Sequence, residues 1–232
     1  MRYLFFLTPP TWFSSLPILK DYLDPMVLDY LVWPLVQIGL LLFVVLTLVA
    51  YLTLAERKIS AWIQVRIGPN RVGPEGLLQP LADGIKLLLK EDLIPLKADR
   101  EVFIIAPIIA MVAALVALAV IPWGAAWATI SNIDIGLLFI LAVSSLGVLG
   151  IILGGWASNS KYSLLGALRS AAQMVSYEVA MGLALIGALM FTKTLALQDM
   201  VITQERLHIW NILFQPLGFL IYFISGIAET NR

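Results

Sequence analysis

One acidic residue, Glu178, stands in an otherwise uncharged stretch of about residues 170–192. A carboxylate in hydrocarbon costs on the order of a few kcal/mol unless it is paired, hydrated or protonated. Because a carboxyl group can accept and release a proton, such residues often mark proton pathways. Gln173, Ser176 and Tyr177 can extend a hydrogen-bonded chain through water. The pattern predicts a proton relay at Glu178; the alternative is a side chain that reaches the membrane interface.

A second group of chemically capable residues lies in the loop 56–101. Two Gly-Pro pairs bound a segment with two arginines, Arg66-Ile-Gly-Pro-Asn-Arg-Val-Gly-Pro74, and predict a shaped, non-helical turn. In residues 75–90, apolar and polar residues then recur with the period of an α-helix. The apolar face carries Leu78, Leu81, Ile85 and Leu88, and the polar face Gln79, Asp83, Lys86 and Lys90. We expect an amphipathic surface helix and a docking surface or site, although a plain cytoplasmic loop would also explain the bases.

Long uncharged runs must position these residues. Hydrophobic residues make up 60% of the chain and charged residues 13%, with a mean hydropathy of +0.92. A hydrocarbon core about 30 Å thick needs roughly 20 apolar helical residues. We therefore predict an all-α, polytopic transmembrane helix bundle in residues 30–232, preceded by an interfacial segment, 1–29. The expected spans are about 33–55, 102–121, 135–156, 171–192 and 209–228.

The distribution of basic residues predicts the orientation of the bundle. The side formed by loops 56–101 and 157–169 and the C-terminus carries Arg57, Lys58, Arg66, Arg71, Lys86, Lys90, Lys97, Arg100, Lys161, Arg169 and Arg232. The opposite side carries Arg2, Lys20, Lys193 and Arg206. The positive-inside rule then places the N-terminus outside.

Several kinds of site are excluded by composition. The chain has no cysteine, so it cannot supply thiolate ligands to an iron–sulfur cluster. Because it has one histidine, it cannot form a bis-histidine haem site or a His-rich zinc site. Its net charge is zero, which gives no basic footprint for nucleic acid. The histidine, His208, precedes an apolar run and is most simply interfacial. We predict no metal site, and any redox centre must belong to a partner chain.

Three segments carry a resemblance to a known family. AERKISAWIQVRIGPNRVGPEGLLQPLADGIKLLLKED, GWASNSKYSLLGALRSAAQMVSYE and the terminal AETNR resemble, in order and spacing, segments of the membrane-embedded H subunit of NADH-quinone oxidoreductase. The mitochondrial counterpart is subunit 1 of NADH dehydrogenase, and the resemblance covers about residues 30–232. It implies a membrane subunit of the proton-translocating respiratory complex I, in the bacterial inner or mitochondrial inner membrane. The subunit would frame the quinone chamber and begin the proton path.

The resemblance also implies roles for particular residues and partners. Glu56, Arg57, Gln64 and Arg66 would line the quinone channel, and Asp83, Glu178 and Glu229 would belong to the proton relay; no residue is expected to be catalytic in its own right. Quinone would be the substrate. Flavin and iron–sulfur clusters would lie on peripheral subunits, and neighbouring membrane-arm subunits and the lipid bilayer would complete the surroundings.

The chain departs from the family pattern after AETNR, where members continue into an acid-rich loop and about three further helices. It therefore resembles a member that is truncated at its C-terminus. One alternative is the equivalent subunit of a membrane-bound hydrogenase or ferredoxin-dependent complex, which can share this fold without quinone. A secondary transporter is disfavoured, because no repeated halves or paired broken helices are evident.

Overall fold

The computed structural model describes residues 31–124 and 129–230, and the secondary structure in these ranges is helical. The predicted interfacial segment 1–29 lies outside the described residues. A short 3₁₀ turn occupies Pro74–Gly76. In chain order the α-helices are α1 (Trp33–Ile63), α2 (Gln79–Leu88), α3 (Arg100–Leu118), α4 (Gly136–Ala157), α5 (Lys161–Thr192), α6 (Leu197–Leu207), α7 (Asn211–Phe214) and α8 (Pro216–Glu229).

Four helices in the described part of the chain, α1, α3, α4 and α5, are long and apolar enough to cross a membrane, and α8 is a shorter apolar helix. The chain is therefore a polytopic helical membrane protein. Helix α1 does not stop at the charged residues 56–58, where the sequence placed the end of the span. It has 31 residues and is about 46 Å long, which exceeds a hydrocarbon core of about 30 Å. Its charged last turns can therefore extend beyond the lipid.

The fifth predicted span, 209–228, is not one continuous helix. The chain forms the short helix α7, breaks at Gln215 and resumes as α8. Proline at 216 disfavours helical backbone at the preceding residue, and Gln215 indeed has φ −137° and ψ 62°. With 14 residues, α8 is about 21 Å long, so it needs the preceding segment to complete a crossing.

Residues 94–230 form one compact unit. In it α4 packs on α3 and α5, and α8 packs on α5. A Cβ atom added to Gly136 would lie near Val120, and one added to Gly150 would lie 2.8 Å from the carbonyl oxygen of Ala106, so α3 and α4 run antiparallel. Small residues let the backbones approach closely, as is usual between membrane helices.

The end of this unit that contains the α4–α5 turn is tied by polar contacts. The backbone amide of Asp99 donates to the carbonyl of Ala157 at 2.9 Å, and Asn159 Nδ2 donates to the carbonyl of Lys97 at 3.0 Å. These bonds join the start of α3 to the turn between α4 and α5.

Residues 31–93 form the other compact unit, in which α1 packs on α2. Large apolar side chains of α1, such as Phe43 and Leu46, are exposed in the isolated chain. Such a surface suits contact with lipid or with other membrane-embedded chains. The polar end of this unit holds most of the residues singled out in the sequence.

Candidate functional site

The segment after α1 turns back sharply against that helix. Val65 has a positive φ of 53°, and the amide of Arg66 donates to the carbonyl of Ala61 at 2.9 Å. Gly68 follows so closely on α1 that a Cβ there would lie 3.2 Å from the Cα of Lys58. The Gly-Pro turn is therefore folded onto the last turns of α1.

The remainder of the Gly-Pro segment closes on itself. Gly76 has φ +82°, and a Cβ at this position would overlap the carbonyl oxygen of Pro69. The amide of Leu78 donates to the carbonyl of Val72 at 3.2 Å. This geometry matches the shaped, non-helical turn expected from the two Gly-Pro pairs, and only glycine fits position 76 without strain.

A groove of about 560 Å³ lies between the last turns of α1 and this turn. Its volume falls in the range of about 300–1,000 Å³ typical of small-molecule sites. One part of the wall is polar and the other apolar, which suits a ligand with a polar head. The lining residues are Thr53, Glu56, Arg57, Ser60, Ala61, Arg66, Ile67, Gly68 and Pro69.

An ion pair links this groove to the surface helix α2. Arg57 Nη1 donates to Asp83 Oδ2 at 2.6 Å, and Gln79 Nε2 donates to Asp83 Oδ1 at 3.1 Å. The hydrogen bond from Arg57, and then that from Gln79, holds the pKa of Asp83 below its ordinary value of 3.8. Asp83 of α2 therefore pairs with a residue of α1.

The apolar face of α2 is as expected from the periodicity, although the helix is shorter than the predicted 75–90. Leu78, immediately before α2, and Leu81, Ile85 and Leu88 on it are all exposed within this chain. The ion pair occupies the opposite, polar face. Helix α2 is thus joined to α1 by the Arg57–Asp83 ion pair, and its apolar face points away from that ion pair.

The structure brings together three of the four residues proposed to line a channel. Glu56, Arg57 and Arg66 line the groove, while Gln64 is the C-cap of α1 and is not part of the lining. Sequence reasoning missed Thr53 and Ser60. Their spacing of i and i+7, with Arg57 at i+4 from Thr53, places all three on one helix face and could have revealed them.

The other two acidic residues singled out in the sequence lie in the unit of residues 94–230. Glu178, in the middle of α5, is half-buried, and Glu229 is the last residue of α8. Their carboxylates are close enough to interact electrostatically. Gln173 Nε2 donates to the carbonyl of Ala228 at 3.2 Å, which joins the helices beside Glu229.

The neighbours expected to extend a hydrogen-bonded chain from Glu178 differ in placement. Gln173 faces α8, as its bond to Ala228 shows. The hydroxyl of Ser176 instead donates to Ala172 of its own helix at 2.7 Å, and Tyr177 is exposed. Ser225 on α8, which sequence reasoning did not single out, is 2% exposed. Within residues 31–124 and 129–230, no cluster of three or more potential metal ligands is present.

Comparison with known proteins identifies the family. A family model described as NADH dehydrogenase matches residues 36–232. The chain belongs to the NADH dehydrogenase family. The match includes the groove, α2, α5 and α8, so each residue cluster described above lies within the part of the chain that carries the family likeness.

Relatives within the NADH dehydrogenase family are similar over most of this chain. An H subunit of NADH-quinone oxidoreductase from Geobacter metallireducens, the one numbered 1, is 52% identical over 218 residues, 90% of this chain and 65% of the relative. The H subunit of Ralstonia nicotianae is 51% identical over 87% of this chain and 59% of its own length. The H subunit numbered 2 of Geobacter sulfurreducens is 53% identical over 84% and 61%. The chain thus spans about three fifths of the length of these relatives.

Proposed function

We propose that this chain acts as the membrane-embedded H subunit of a proton-translocating NADH-quinone oxidoreductase, respiratory complex I. It would form part of the quinone chamber and the start of the proton path. The groove carries this proposal, because it joins charged side chains to an apolar wall at the end of a membrane-length helix. The names of the relatives support the choice of quinone as substrate.

The chemistry of the groove suits a quinone headgroup. The guanidinium groups of Arg57 and Arg66 and the hydroxyl of Ser60 can donate hydrogen bonds to quinone oxygens. Ile67 and Pro69 can contact the ring or the first part of an isoprenoid tail. The chain has no cysteine and therefore no thiolate ligand for an iron–sulfur cluster. The role proposed for it is to bind and orient quinone. Electrons would come from flavin and iron–sulfur centres on peripheral subunits.

Proton transfer is assigned to acidic residues in both units. Glu178 and Glu229 lie close enough to influence each other electrostatically, and a chain of water molecules between them would allow a proton to pass. Asp83 would contribute to the relay from the surface side. Arg57 holds it as a carboxylate, so Asp83 would accept a proton only when this ion pair opens. Because Arg57 also lines the groove, a change in its ion pair is a physical means by which quinone binding could affect Asp83.

The proposed orientation places the polar turn and α2 on the cytoplasmic side of the bacterial plasma membrane, or on the matrix side in a mitochondrion, with the N-terminus outside. In the unit of residues 94–230, Lys97 and Arg100 lie at the same end as the α4–α5 turn, next to Lys161. This supports the positive-inside assignment. A cysteine introduced at Asn70 should be labelled by an impermeant maleimide that is added to the cytoplasmic side of sealed vesicles. Labelling from the periplasmic side would show that the proposed orientation is wrong.

The exposed apolar face of α2 is suited to contact a peripheral subunit, and we expect it to be covered in the assembled complex.

Purification of the tagged chain in mild detergent tests the whole assignment. We expect peripheral and membrane-arm subunits to copurify and the preparation to reduce quinone with NADH, sensitive to quinone-site inhibitors. Copurification with hydrogenase or ferredoxin-dependent subunits, without quinone reduction, would instead favour the related complex that shares this fold.

A further inference from the structure

Two glutamine side chains bind the backbone across the α5–α8 contact, in opposite senses. Gln173 of α5 donates to the carbonyl of Ala228 near the end of α8, at 3.2 Å. Gln215, immediately before α8, donates to the carbonyl of Ala184 of α5, at 3.3 Å. The two bonds lie at opposite ends of α8, and together they define an antiparallel alignment of the two helices.

Gln215 occupies a space that only glycine leaves open. A Cβ at Gly187 of α5 would overlap its side-chain amide, and a Cβ at Gly218 of α8 would lie 2.5 Å from its Nε2. The helix break before Pro216 directs this side chain to α5 rather than continuing the helix. The amide therefore sits in a defined notch between the two helices.

Gln173 meets the other end of α8, at the carbonyl of Ala228, which also accepts a hydrogen bond from the backbone amide of Thr230. The side-chain amide adds a bond from the neighbouring helix α5 to this helix end. The residue after Ala228 is Glu229. The bond thus holds the backbone that carries one of the two interacting carboxylates.

Registration matters here because a helix that slips by one residue moves about 1.5 Å along its axis and rotates its side chains by about 100°. Such a slip of α8 would rotate and shift Glu229 and so change its distance from Glu178. One hydrogen bond leaves a helix free to pivot about it, whereas two at separate ends restrict both sliding and rotation.

We propose that Gln173 and Gln215 are positioning residues that fix the register of α8 on α5 and thereby the spacing of Glu178 and Glu229. This inference rests on the proposed function of those two carboxylates in proton transfer. Neither glutamine need touch quinone or carry a proton for the effect to operate.

The Gln215 notch permits a test in the assembled complex that leaves the glutamine chemically intact. Gly187→Ala should displace the amide and lower quinone-reductase turnover per assembled complex by about threefold, with the KM for quinone unchanged. That factor is equivalent to about 0.7 kcal/mol, within the range of one neutral hydrogen bond. Gln215→Ala should have a similar effect. In the Gln215→Ala background, Gly187→Ala should cause no further loss, because the group it displaces is gone.

Gly182→Ala is the matched control, since it lies on α5 and a Cβ there meets no atom within 4 Å. It should retain wild-type turnover. The proposed role of the notch would be wrong if Gly182→Ala and Gly187→Ala lowered turnover equally. It would also be wrong if the losses of turnover from Gly187→Ala and Gln215→Ala were additive. Gln173→Leu combined with Gln215→Ala should lower turnover by about tenfold, because both ends of α8 are then released.

A distance measurement separates positioning from a general loss of activity. This chain contains no cysteine, so a Glu178→Cys, Glu229→Cys pair can be cross-linked within it by a short bifunctional maleimide. Adding Gln173→Leu and Gln215→Ala should lower the cross-linked fraction by at least half. An unchanged fraction would overturn the proposal. If instead Glu178→Gln alone leaves proton pumping intact, the relay itself is wrong, whatever the cross-linking shows.

Discussion

Arg57 on the membrane helix α1 and Asp83 on the surface helix α2 form an ion pair of 2.6 Å. Arg57 also lines the groove, so one guanidinium joins the candidate ligand site to the helix that presents an apolar face outward. Both side chains are partly exposed, and such pairs contribute little to global stability. Their importance is therefore expected in the local attachment of α2.

Asp83→Asn should loosen α2 at neutral pH without unfolding the protein. Hydrogen exchange of residues 79–88 in the assembled complex should accelerate, while exchange in α5 stays unchanged. Lys86→Gln serves as a control on the same face, since it removes a charge without removing the salt bridge. Equal exchange in the Asp83→Asn variant and the wild type would show that the ion pair does not hold α2.

The same ion pair predicts a defined pH dependence. The pKa of Asp83 lies below 3.8 in the folded protein, so the stabilisation is present above the ordinary pKa. It is lost as the pH falls through the lowered value and the carboxylate becomes protonated. The protection of the α2 amides, that is, their hydrogen-exchange rate relative to the intrinsic rate at the same pH, should therefore be constant from about pH 5 to about pH 8. A marked loosening within that interval would point to another titrating group.

Arg66→Ala should raise the KM for quinone by about tenfold, or weaken quinone-site inhibitors to a similar extent, while leaving the complex assembled. One charge-assisted hydrogen bond is worth about 1.5–3 kcal/mol, which accounts for at least this factor. Arg71→Ala is the control, because it lies in the same turn but not in the lining of the groove. Gln64→Ala should have a smaller effect than Arg66→Ala. Unchanged KM and inhibitor sensitivity in Arg66→Ala would remove Arg66 from the quinone site.

Glu178→Gln should abolish most quinone reduction and proton pumping together in an assembled complex. The amide keeps the shape and hydrogen-bonding capacity of the side chain but cannot exchange a proton as a carboxyl group does. Glu178→Asp should retain partial activity. Activity of inside-out vesicles and the accompanying pH gradient provide the measurement, and normal pumping by the Gln variant would assign Glu178 to packing.

Gly76→Ala should open the Gly-Pro turn, because φ +82° is strained for alanine and the new Cβ would overlap the carbonyl of Pro69. We expect a local destabilisation of about 1–3 kcal/mol, seen as faster tryptic cleavage at Arg66 and Arg71. Gly84→Ala lies in helix α2 with no atom near its Cβ and should be tolerated. Equal cleavage rates in the two variants would show that the turn does not depend on glycine at 76.

The parts of the fold that follow from periodicity were predictable from sequence. Uncharged runs predicted five spans, of which four correspond to long apolar helices and the fifth to a broken segment that ends in the shorter helix α8. The two faces of α2 followed from spacing alone. The break at Gln215 was missed because the apolar run continues through it, although Pro216 was a usable sign. The continuation of α1 to Ile63 was missed because charges end the apolar run but not the helix.

The groove illustrates what a sequence pattern cannot provide. Glu56, Arg57 and Arg66 were singled out by family resemblance, but their meeting with Ile67 and Pro69 depends on a backbone reversal at Val65. Positive φ at a β-branched residue is rare and has no reliable sequence sign. The Arg57–Asp83 pair joins positions 26 residues apart, beyond any helical periodicity. The roles of these side chains therefore remain predictions for the experiments above.

Helix α1 is about 46 Å long, with the groove on its last turns. A change of about 5° in its tilt displaces one end relative to the other by about 4 Å. Membrane helices adjust their tilt to the thickness of the surrounding hydrocarbon. The thickness of the lipid around the apolar part of α1 would thus affect the position of the groove on its last turns. The acyl-chain length of the lipid would therefore influence the candidate site.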